Sequence, residues 1–183
     1  MVCRLDSADT VEPEPIPMKR ANQPNFDATA FRDALSQFAT GVTVITAYND
    51  EHQPVGITIN SLTSVSLKPP LVLFCLEKEA HLYDVFKQAK YFAINILADD
   101  QEEISRYFAD YRHNKKPPQL WGKPQAGSPI LRGTLGWMVC KKTKAYAGGD
   151  HTIFLGETIT LNKKSGSKPP LLYFHGKYRQ IKG

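Results

Sequence analysis

The sequence has few cysteines, and their spacing does not fit a metal site or a disulfide framework. Cys3, Cys75 and Cys140 are the three in 183 residues, and no C-x-x-C pair occurs. Widely separated thiols are typical of a reducing compartment. No apolar run is long enough to cross a bilayer, and Arg4 and Asp6 interrupt any apolar core that a signal peptide would need. We therefore expect a cytoplasmic protein with no metal site and no membrane span.

Familiar catalytic patterns are also missing. No G-x-G-x-x-G follows a strand pattern, which argues against a Rossmann nucleotide-binding domain. The five histidines are scattered, and none has a Ser-His-Asp, Cys-His or metal-ligand context. The residues alone therefore indicate no side-chain acid, base or nucleophile, and they leave the chemistry open.

Acidic residues are scarce in the C-terminal part of the chain. Residues 1–110 carry 9 Lys and Arg against 16 Asp and Glu, whereas residues 111–183 carry 14 against 2. A basic region can attract an anionic partner such as a dinucleotide, a phosphate or a nucleic acid, or it can be a solvated surface. The aromatic residues do not alternate with the lysines as in a platform for single-stranded nucleic acid. We therefore expect no nucleic-acid partner.

The order of apolar patterns predicts a mainly β domain. Residues 1–25 contain four prolines and are predicted to be a flexible N-terminal arm, followed by one domain over 26–183. Asp27 is a suitable N-cap for a first helix, and Gly41 is placed to end it. Its apolar stripe is Phe31, Ala34, Leu35 and Phe38. Asp99 or Asp100 is predicted to cap a later helix, and Tyr111–Gly127 to form a long surface loop. About six strands in hairpins with three helices favour an antiparallel barrel.

The stretch from Gly56 to Leu71, G-I-T-I-N-S-L-T-S-V-S-L-K-P-P-L, carries the densest group of small polar residues. It opens as a strand in which apolar and polar residues alternate, with Thr58 and Asn60 on one face. A hydroxyl-rich loop with Ser61, Ser64 and Ser66 is predicted to follow. Such groups suit a flat polar ligand, although a Ser/Thr-rich loop also often bonds its own backbone.

Three further residues have two open interpretations each, and a fourth has one. Asn95 lies in the apolar strand Tyr91–Leu97, where it either meets a ligand or ties down a neighbouring loop. His151 follows a Gly-Gly turn and is either a ligand contact at a strand rim or a surface residue. Glu157 shares an apolar face, so a partner inside the barrel or at a subunit contact is expected. Cys75 is interpreted as a core thiol.

From about Phe31 to Ile181 the chain resembles the flavin reductase family, which has the FMN-binding split-barrel fold. More narrowly, it is similar to the reductase components of two-component flavin-dependent monooxygenases. Five motifs occur in the order of that family: F-R-D-A-L-S-Q-F-A-T-G-V-T-V-I-T, G-I-T-I-N-S-L-T-S-V-S-L-K-P-P-L-V-L, Y-F-A-I-N-I-L, G-G-D-H-T-I-F-L-G-E and P-L-L-Y-F-H-G-K-Y-R.

The resemblance implies a homodimer of six-stranded Greek-key split β-barrels with a few flanking helices. It also implies transfer of a hydride from NADH or NADPH to FMN or FAD, and delivery of reduced flavin to a partner monooxygenase. A non-catalytic flavin-binding electron carrier on the same fold is the alternative. The residues at the family's flavin positions are Thr58, Ile59, Asn60, Ser61, Ser64, Ser66, Cys75, Phe92, Ala93, Ile94 and Asn95. His151 and Tyr178 correspond to the nicotinamide side, with His151 as the positioning candidate. This chain departs from the family at two positions. It has Ile59 where the family often has Ala, which puts extra bulk beside the flavin, and Leu62 where the family often has Phe, which alters the cover over the flavin ring.

Overall fold

The computed structural model describes residues 26–110, 120–163, 166 and 168–181. The predicted arm over 1–25 lies outside these residues, as does the first part of the predicted 111–127 loop. Within the described ranges the chain forms ten strands and three α-helices. The expectation of a mainly β, antiparallel domain with few helices is confirmed.

Seven of the strands form one antiparallel sheet. They are β2 (Thr43–Tyr48), β3 (Pro54–Ile59), β4 (Thr63–Leu67), β5 (Pro70–Glu77), β6 (Tyr91–Ile96), β7 (Gly136–Gly148) and β8 (His151–Lys163). Their order across the sheet is β3-β2-β6-β7-β8-β5-β4. The count exceeds the expected six because residues 63–67, which we predicted to be a loop, pair with β5 through Ser64 and Val72.

A second, three-stranded sheet lies beside the first. It consists of β1 (Thr40–Gly41), β9 (Leu172–Phe174) and β10 (Lys177–Arg179), in the order β1-β9-β10. The short β1 strand continues directly towards β2, so the small sheet is joined to the large one at the strand next to its β3 edge.

Two apolar cores occupy opposite faces of β2. Inside the barrel, the Phe74 ring lies 5.1 Å from that of Phe92 and 5.2 Å from that of Phe154. On the other face, Val44 packs in a cluster with Leu97, Phe108 and Leu171. Because both faces of β2 are buried, its sequence is a β-branched run rather than a strict alternation of apolar and charged residues.

The first helix, α1 (Ala28–Ser36), begins as predicted and ends early. The Ala30 N–H donates to the Asp27 carboxylate at 2.8 Å, which is the expected N-cap. Gly41 does not end the helix, since it lies in β1; the Ser36 carbonyl instead accepts from the His175 N–H at 3.0 Å, which ties the helix end to the small sheet. None of the α1 residues is buried, and Phe31 is 51% exposed.

The other two helices pack against different cores. They are α2 (Tyr83–Gln88) and α3 (Glu102–Ala109), the latter entered through a 3₁₀ turn at Asp99–Gln101. The α2 helix packs against the core inside the barrel and α3 against the core on the other face of β2. The predicted cap by an aspartate is wrong: the turn begins at Ala98, whose N–H donates to the Gln101 side-chain oxygen at 3.1 Å. No helix in the described ranges is both long and apolar enough to cross a membrane.

The described end of the predicted 111–127 surface loop is partly internal. Leu120 is buried in the second core, and the Trp121 ring lies 5.8 Å from that of Phe108. Trp121 also forms an isolated β-bridge with Leu131. The expectation of a loop over the surface is therefore wrong for Leu120 and Trp121, whose large apolar side chains anchor the segment, whereas residues 123, 124, 126 and 127 are exposed as expected.

Candidate functional site

The ends of β3, β5 and β8 meet at one end of the barrel, where several predicted site residues lie. The Ser61 hydroxyl accepts from the Cys75 N–H at 3.0 Å and donates to the Cys75 carbonyl at 3.1 Å. Cys75 pairs with Ile153 in β8, and two residues further on, Glu77 pairs with His151. Asn60, which precedes Ser61, is exposed. The structure therefore brings Asn60, Ser61, Cys75 and His151 to the same end of the sheet.

Ser61 has a structural task in this arrangement. The strands β3 and β5 are not paired with each other. Ser61, two residues after the end of β3, connects the two through its hydrogen bonds to the Cys75 backbone. Its hydroxyl is thus already used by the Cys75 backbone. Burial raises the pKa of the Cys75 thiol, so this thiol is protonated at neutral pH and is not a reactive nucleophile.

Two polar side chains beside Ser61 are uncommitted. Neither the Asn60 amide nor the Ser64 hydroxyl has a hydrogen-bond partner in the described part of the chain, and both residues are exposed. The Ser66 hydroxyl accepts from the Lys68 N–H at 3.2 Å and is half-buried. Asn60 and Ser64 therefore offer the donors and acceptors that a bound ligand would need.

Thr58 is turned towards α3. Its hydroxyl donates to the Ser105 carbonyl at 2.7 Å, and the Ser105 hydroxyl shares a hydrogen bond with the Tyr178 hydroxyl at 2.8 Å. The Arg106 guanidinium lies 4.8 Å from the centre of the Tyr178 ring. Ser105, which the sequence did not single out, therefore connects two predicted site residues. Ile59, the next residue in β3, is buried in the barrel core.

The segment Phe92–Asn95 is internal. All four side chains are at most 2% exposed. The Asn95 amide donates to the Val44 carbonyl and the Thr46 hydroxyl, both at 3.0 Å, and its oxygen accepts from the Leu131 N–H at 2.9 Å. These contacts match the interpretation in which Asn95 ties down a neighbouring loop. A ligand contact through an exposed side chain is not available to this segment.

His151 stands at the rim of the barrel beside the turn that precedes it. One ring nitrogen, Nδ1, lies 2.8 Å from the Asp150 carboxylate, and 43% of the side chain is exposed. The hydrogen bond and the charge of His151 lower the pKa of Asp150. Lys78 donates to the Gly149 carbonyl, and Gly149 itself has φ +69°, a conformation that favours glycine. His151 is thus oriented by Asp150 and accessible to a ligand.

A pocket of about 700 Å³ lies between α1 and the β9–β10 turn, and Asn60 is one of its lining residues. Its lining residues are Arg32, Asp33, Leu35, Ser36, Gln37, Phe38, Asn60, Tyr173, Phe174, His175 and Gly176. Apart from Asn60, none of them was predicted to be a site residue, although all of them lie in three of the motifs that carry the family resemblance. Among the described residues, no three side chains of His, Cys, Asp or Glu are grouped to hold a metal ion.

Comparison with known proteins identifies the class to which this fold and site belong. The model of the family described as "Flavin reductase like domain" matches residues 35–182. The chain therefore belongs to the flavin reductase family.

Individual relatives show the same relationship. The chain is 36% identical over 156 residues to "Flavin-dependent monooxygenase, reductase subunit HsaB" of Mycobacterium tuberculosis, covering 85% of this chain and 83% of the relative. It is 39% identical over 153 residues to "FMN reductase (NADH) SmoA" of Agrobacterium fabrum, covering 83% and 85%. The solved structure of NADH:FAD oxidoreductase SgcE6 of Streptomyces globisporus, in complex with NAD and FAD fragments, superposes with a TM-score of 0.79 at 36% identity, covering 85% and 93%.

Proposed function

We propose that the protein uses a reduced nicotinamide dinucleotide to reduce FMN or FAD at the barrel end formed by Asn60, Ser61, Cys75 and His151. The observation that carries the proposal is the uncommitted Asn60 amide at the same barrel end as the accessible His151, with the uncommitted Ser64 hydroxyl further along, in β4. The names of two relatives support it, since one is an FMN reductase that uses NADH and the other an NADH:FAD oxidoreductase.

The residues at this end fit a flavin. A flat ring with polar edges needs short donors and acceptors and little bulk, which Asn60 and the nearby β4 serines provide. From Ser61 to Ser66, five steps of extended chain at about 3.3 Å each cover roughly 16 Å. That span suits a ring at the Asn60 end and a polar tail along Ser64 and Ser66.

A bound flavin supplies the chemistry, because its ring accepts the hydride from the nicotinamide. The side chains bind and align. Asn60 would hold the edge of the flavin ring, Ser61 would fix the adjoining end of β5, and His151, oriented by Asp150, would position the nicotinamide. Alignment at roughly 3–3.5 Å matters more for such a transfer than a side-chain acid or base, which agrees with the absence of a reactive group at this end.

Steady-state turnover tests the proposal. Purified protein with NADH and excess FMN, FAD or riboflavin should oxidise NADH catalytically, and NADPH in parallel shows which nicotinamide is preferred. We expect Asn60→Ala to raise the Kd for flavin about tenfold, the loss of one or two good hydrogen bonds, and Asn162→Ala, at another exposed asparagine, to leave it unchanged. Tightly bound flavin without turnover would instead support an electron carrier.

The role of His151 has its own test. His151→Ala should raise the KM for NADH more than it changes the Kd for flavin, since the residue is proposed to contact the nicotinamide. Unchanged KM and kcat would refute this role.

The outer face of β5 and β8 supports a homodimer. Leu73 pairs with Leu155, and Leu71 with Glu157, on the face opposite to the barrel core. Tyr146, at 48% exposure, extends this apolar surface. We propose that a second copy covers it, because a half-exposed apolar sheet face is typical of an interface. Leu155→Glu should then give a monomer by light scattering, and Lys123→Glu, at an exposed site outside this face, should not.

Delivery of reduced flavin to a monooxygenase is the proposed use of the product, because the mycobacterial relative is named as the reductase subunit of one. Use of NADH and the presence of the free thiols Cys75 and Cys140 both agree with a cytoplasmic location. Release is measurable without knowing the partner: free reduced flavin reacts with oxygen and yields peroxide that catalase removes. A flavin that stays bound through many turnovers would contradict this proposal.

A further inference from the structure

We propose that Lys78 is a positioning residue that holds the β7–β8 turn and thereby orients the His151 ring at the nicotinamide side of the candidate site. The inference rests on the proposed reductase function, because it concerns the residue that is proposed to contact the nicotinamide. Lys78 follows the last residue of β5 and lies outside the five sequence motifs that indicated the family. It is exposed, as most lysines are, so neither its type nor its burial singles it out.

Two hydrogen bonds join Lys78 to the turn. The turn residues are Gly149 and Asp150, which lie between the paired residues Gly148 and His151. The Lys78 N–H donates to the Asp150 carbonyl at 2.9 Å, and the Lys78 ammonium donates to the Gly149 carbonyl. A bond from a charged donor is stronger than one between neutral groups. Lys78 therefore binds the carbonyl groups of both turn residues, one with its backbone and one with its side chain.

The neighbouring strands support the turn on one side only. The pairing of β6 with β7 reaches Lys141, so from Thr143 onwards β8 is the only described strand that pairs with β7. On the other side of the hairpin, the last pair between β5 and β8 joins Glu77 to His151. Lys78 extends this contact one residue past the end of β5. Since regions with few contacts open most readily, the Lys78 side chain is placed where an added bond restrains the turn most.

Restraint of the turn affects His151 through Asp150. The Asp150 carboxylate lies 2.8 Å from His151 Nδ1, so the orientation of the imidazole depends on where the turn places Asp150. With Nδ1 held in this way, Nε2 is the ring nitrogen that remains for a ligand. The hydrogen bond and charge of His151, and to a lesser degree the charge of Lys78, lower the pKa of Asp150. The carboxylate that orients the ring therefore stays ionised at neutral pH.

The strand that carries His151 is fixed independently of the Lys78 side chain. The hydroxyl of Thr152, the next residue, shares a hydrogen bond of 2.8 Å with the Tyr83 hydroxyl of α2, and Thr152 is buried. The His151 backbone pairs with that of Glu77. Removal of the Lys78 side chain should therefore leave the strand and the fold intact and change only the turn and the orientation of the imidazole.

Kinetics of Lys78→Met tests the positioning role, because methionine keeps the apolar stem and removes the donor. We expect the KM for NADH to rise about three- to tenfold, as for the loss of one hydrogen bond, while the Kd for flavin stays within about twofold of the wild type. Lys163→Met, at an exposed lysine at the other end of β8, is the matched control and should change neither value. Urea unfolding checks that both variants are folded. An unchanged KM for NADH in Lys78→Met, or an equal rise in the Kd for flavin, overturns the proposal.

A double variant shows whether Lys78 acts through His151. In the His151→Ala background, Lys78→Met should have no further effect on the KM for NADH, because the side chain that it orients is gone. The competing explanation is a direct contact between the Lys78 ammonium and the phosphates of NADH, which would make the two effects additive. Additive effects therefore overturn the proposal.

Backbone dynamics of the turn separates this inference from the proposed reductase function. The NMR order parameters of the Asp150 and His151 amides should fall in Lys78→Met, from values typical of rigid backbone towards those of a flexible loop, and should not change in Lys163→Met. Equal order parameters in the wild type and Lys78→Met overturn the positioning role. A wild type that oxidises no NADH, together with a loosened turn in Lys78→Met, would refute the proposed function and support the role of Lys78 in orienting His151.

Discussion

Replacing Asn95 with alanine should destabilise the fold strongly, whereas the same change at Asn60 should affect ligand binding. Both asparagines lie in or beside apolar strands, where an amide either contacts a ligand or ties down a neighbouring loop. The structure separates them, because Asn95 is 0% exposed with three hydrogen bonds and Asn60 is exposed with none in the described chain.

The size of the Asn95 effect follows from the groups that lose a partner. The Leu131 N–H, in a site that excludes water, would lose its acceptor at a cost of about 1–3 kcal/mol. Loss of the bonds to Val44 and Thr46 adds roughly 1 kcal/mol. We expect a total of about 2–4 kcal/mol, a large share of the roughly 5–15 kcal/mol typical of a domain.

Urea unfolding at a fixed protein concentration measures this effect. With a slope of about 2 kcal/mol per molar urea, the midpoint of Asn95→Ala should fall by about 1–2 M. Asn60→Ala is the matched control, and its midpoint should shift by less than about 0.3 M, as is usual at exposed sites. A small shift for Asn95→Ala would refute the reasoning, and so would a large one for Asn60→Ala.

Three further predictions concern the barrel wall. Gly156→Ala should destabilise by about 1–3 kcal/mol in the same assay, because the new Cβ would lie 2.5 Å from the Phe92 ring, while Gly41→Ala, with nothing within 4 Å, should be close to neutral. Burial raises the pKa of Cys140 to about 11, so the protonated thiol contributes fully to the free energy of unfolding below about pH 9, and this contribution is lost as the pH rises towards 11. Over that range the free energy of unfolding of the wild type should fall by on the order of 2 kcal/mol more than that of Cys140→Ala. Parallel pH profiles for the two proteins would contradict this. Lys142→Met should lower the melting temperature by a few degrees, since Lys142 caps the end of α2, and an unchanged value would show that the cap is dispensable.

Much of the fold was predictable because its signals are local. The β-branched runs gave the strands, and Asp27 gave the start of α1 through a cap that spans three residues. The end of that helix was not predictable, because Gly41 lies in β1 and the carbonyl of Ser36, the last residue of α1, bonds to the N–H of the distant His175. The β4 strand was missed for a related reason. Its serines are common in loops, and only pairing with β5 reveals a strand.

The candidate site was predictable as a stretch of sequence but not residue by residue. Hydroxyl groups in Thr58, Ser61 and Ser64 look alike in a sequence, yet the first bonds α3, the second bonds β5, and the third is uncommitted. Which hydroxyl remains available depends on neighbours 14 and 47 residues away.

The same dependence explains why a hydroxyl-rich stretch can both close a barrel and hold a ligand. A split barrel leaves backbone groups of β5 without a neighbouring strand at its open end, and each buried group of this kind needs a partner. Ser61 satisfies both Cys75 backbone groups with one side chain, so the strand ends are held in place without a covering strand. Asn60 and Ser64, on either side of Ser61, are thereby kept uncovered. Ser61 thus both holds the end of β5 in place and leaves the neighbouring polar side chains accessible to a ligand. We therefore expect Ser61→Ala to lower the stability of the fold and the affinity for flavin together.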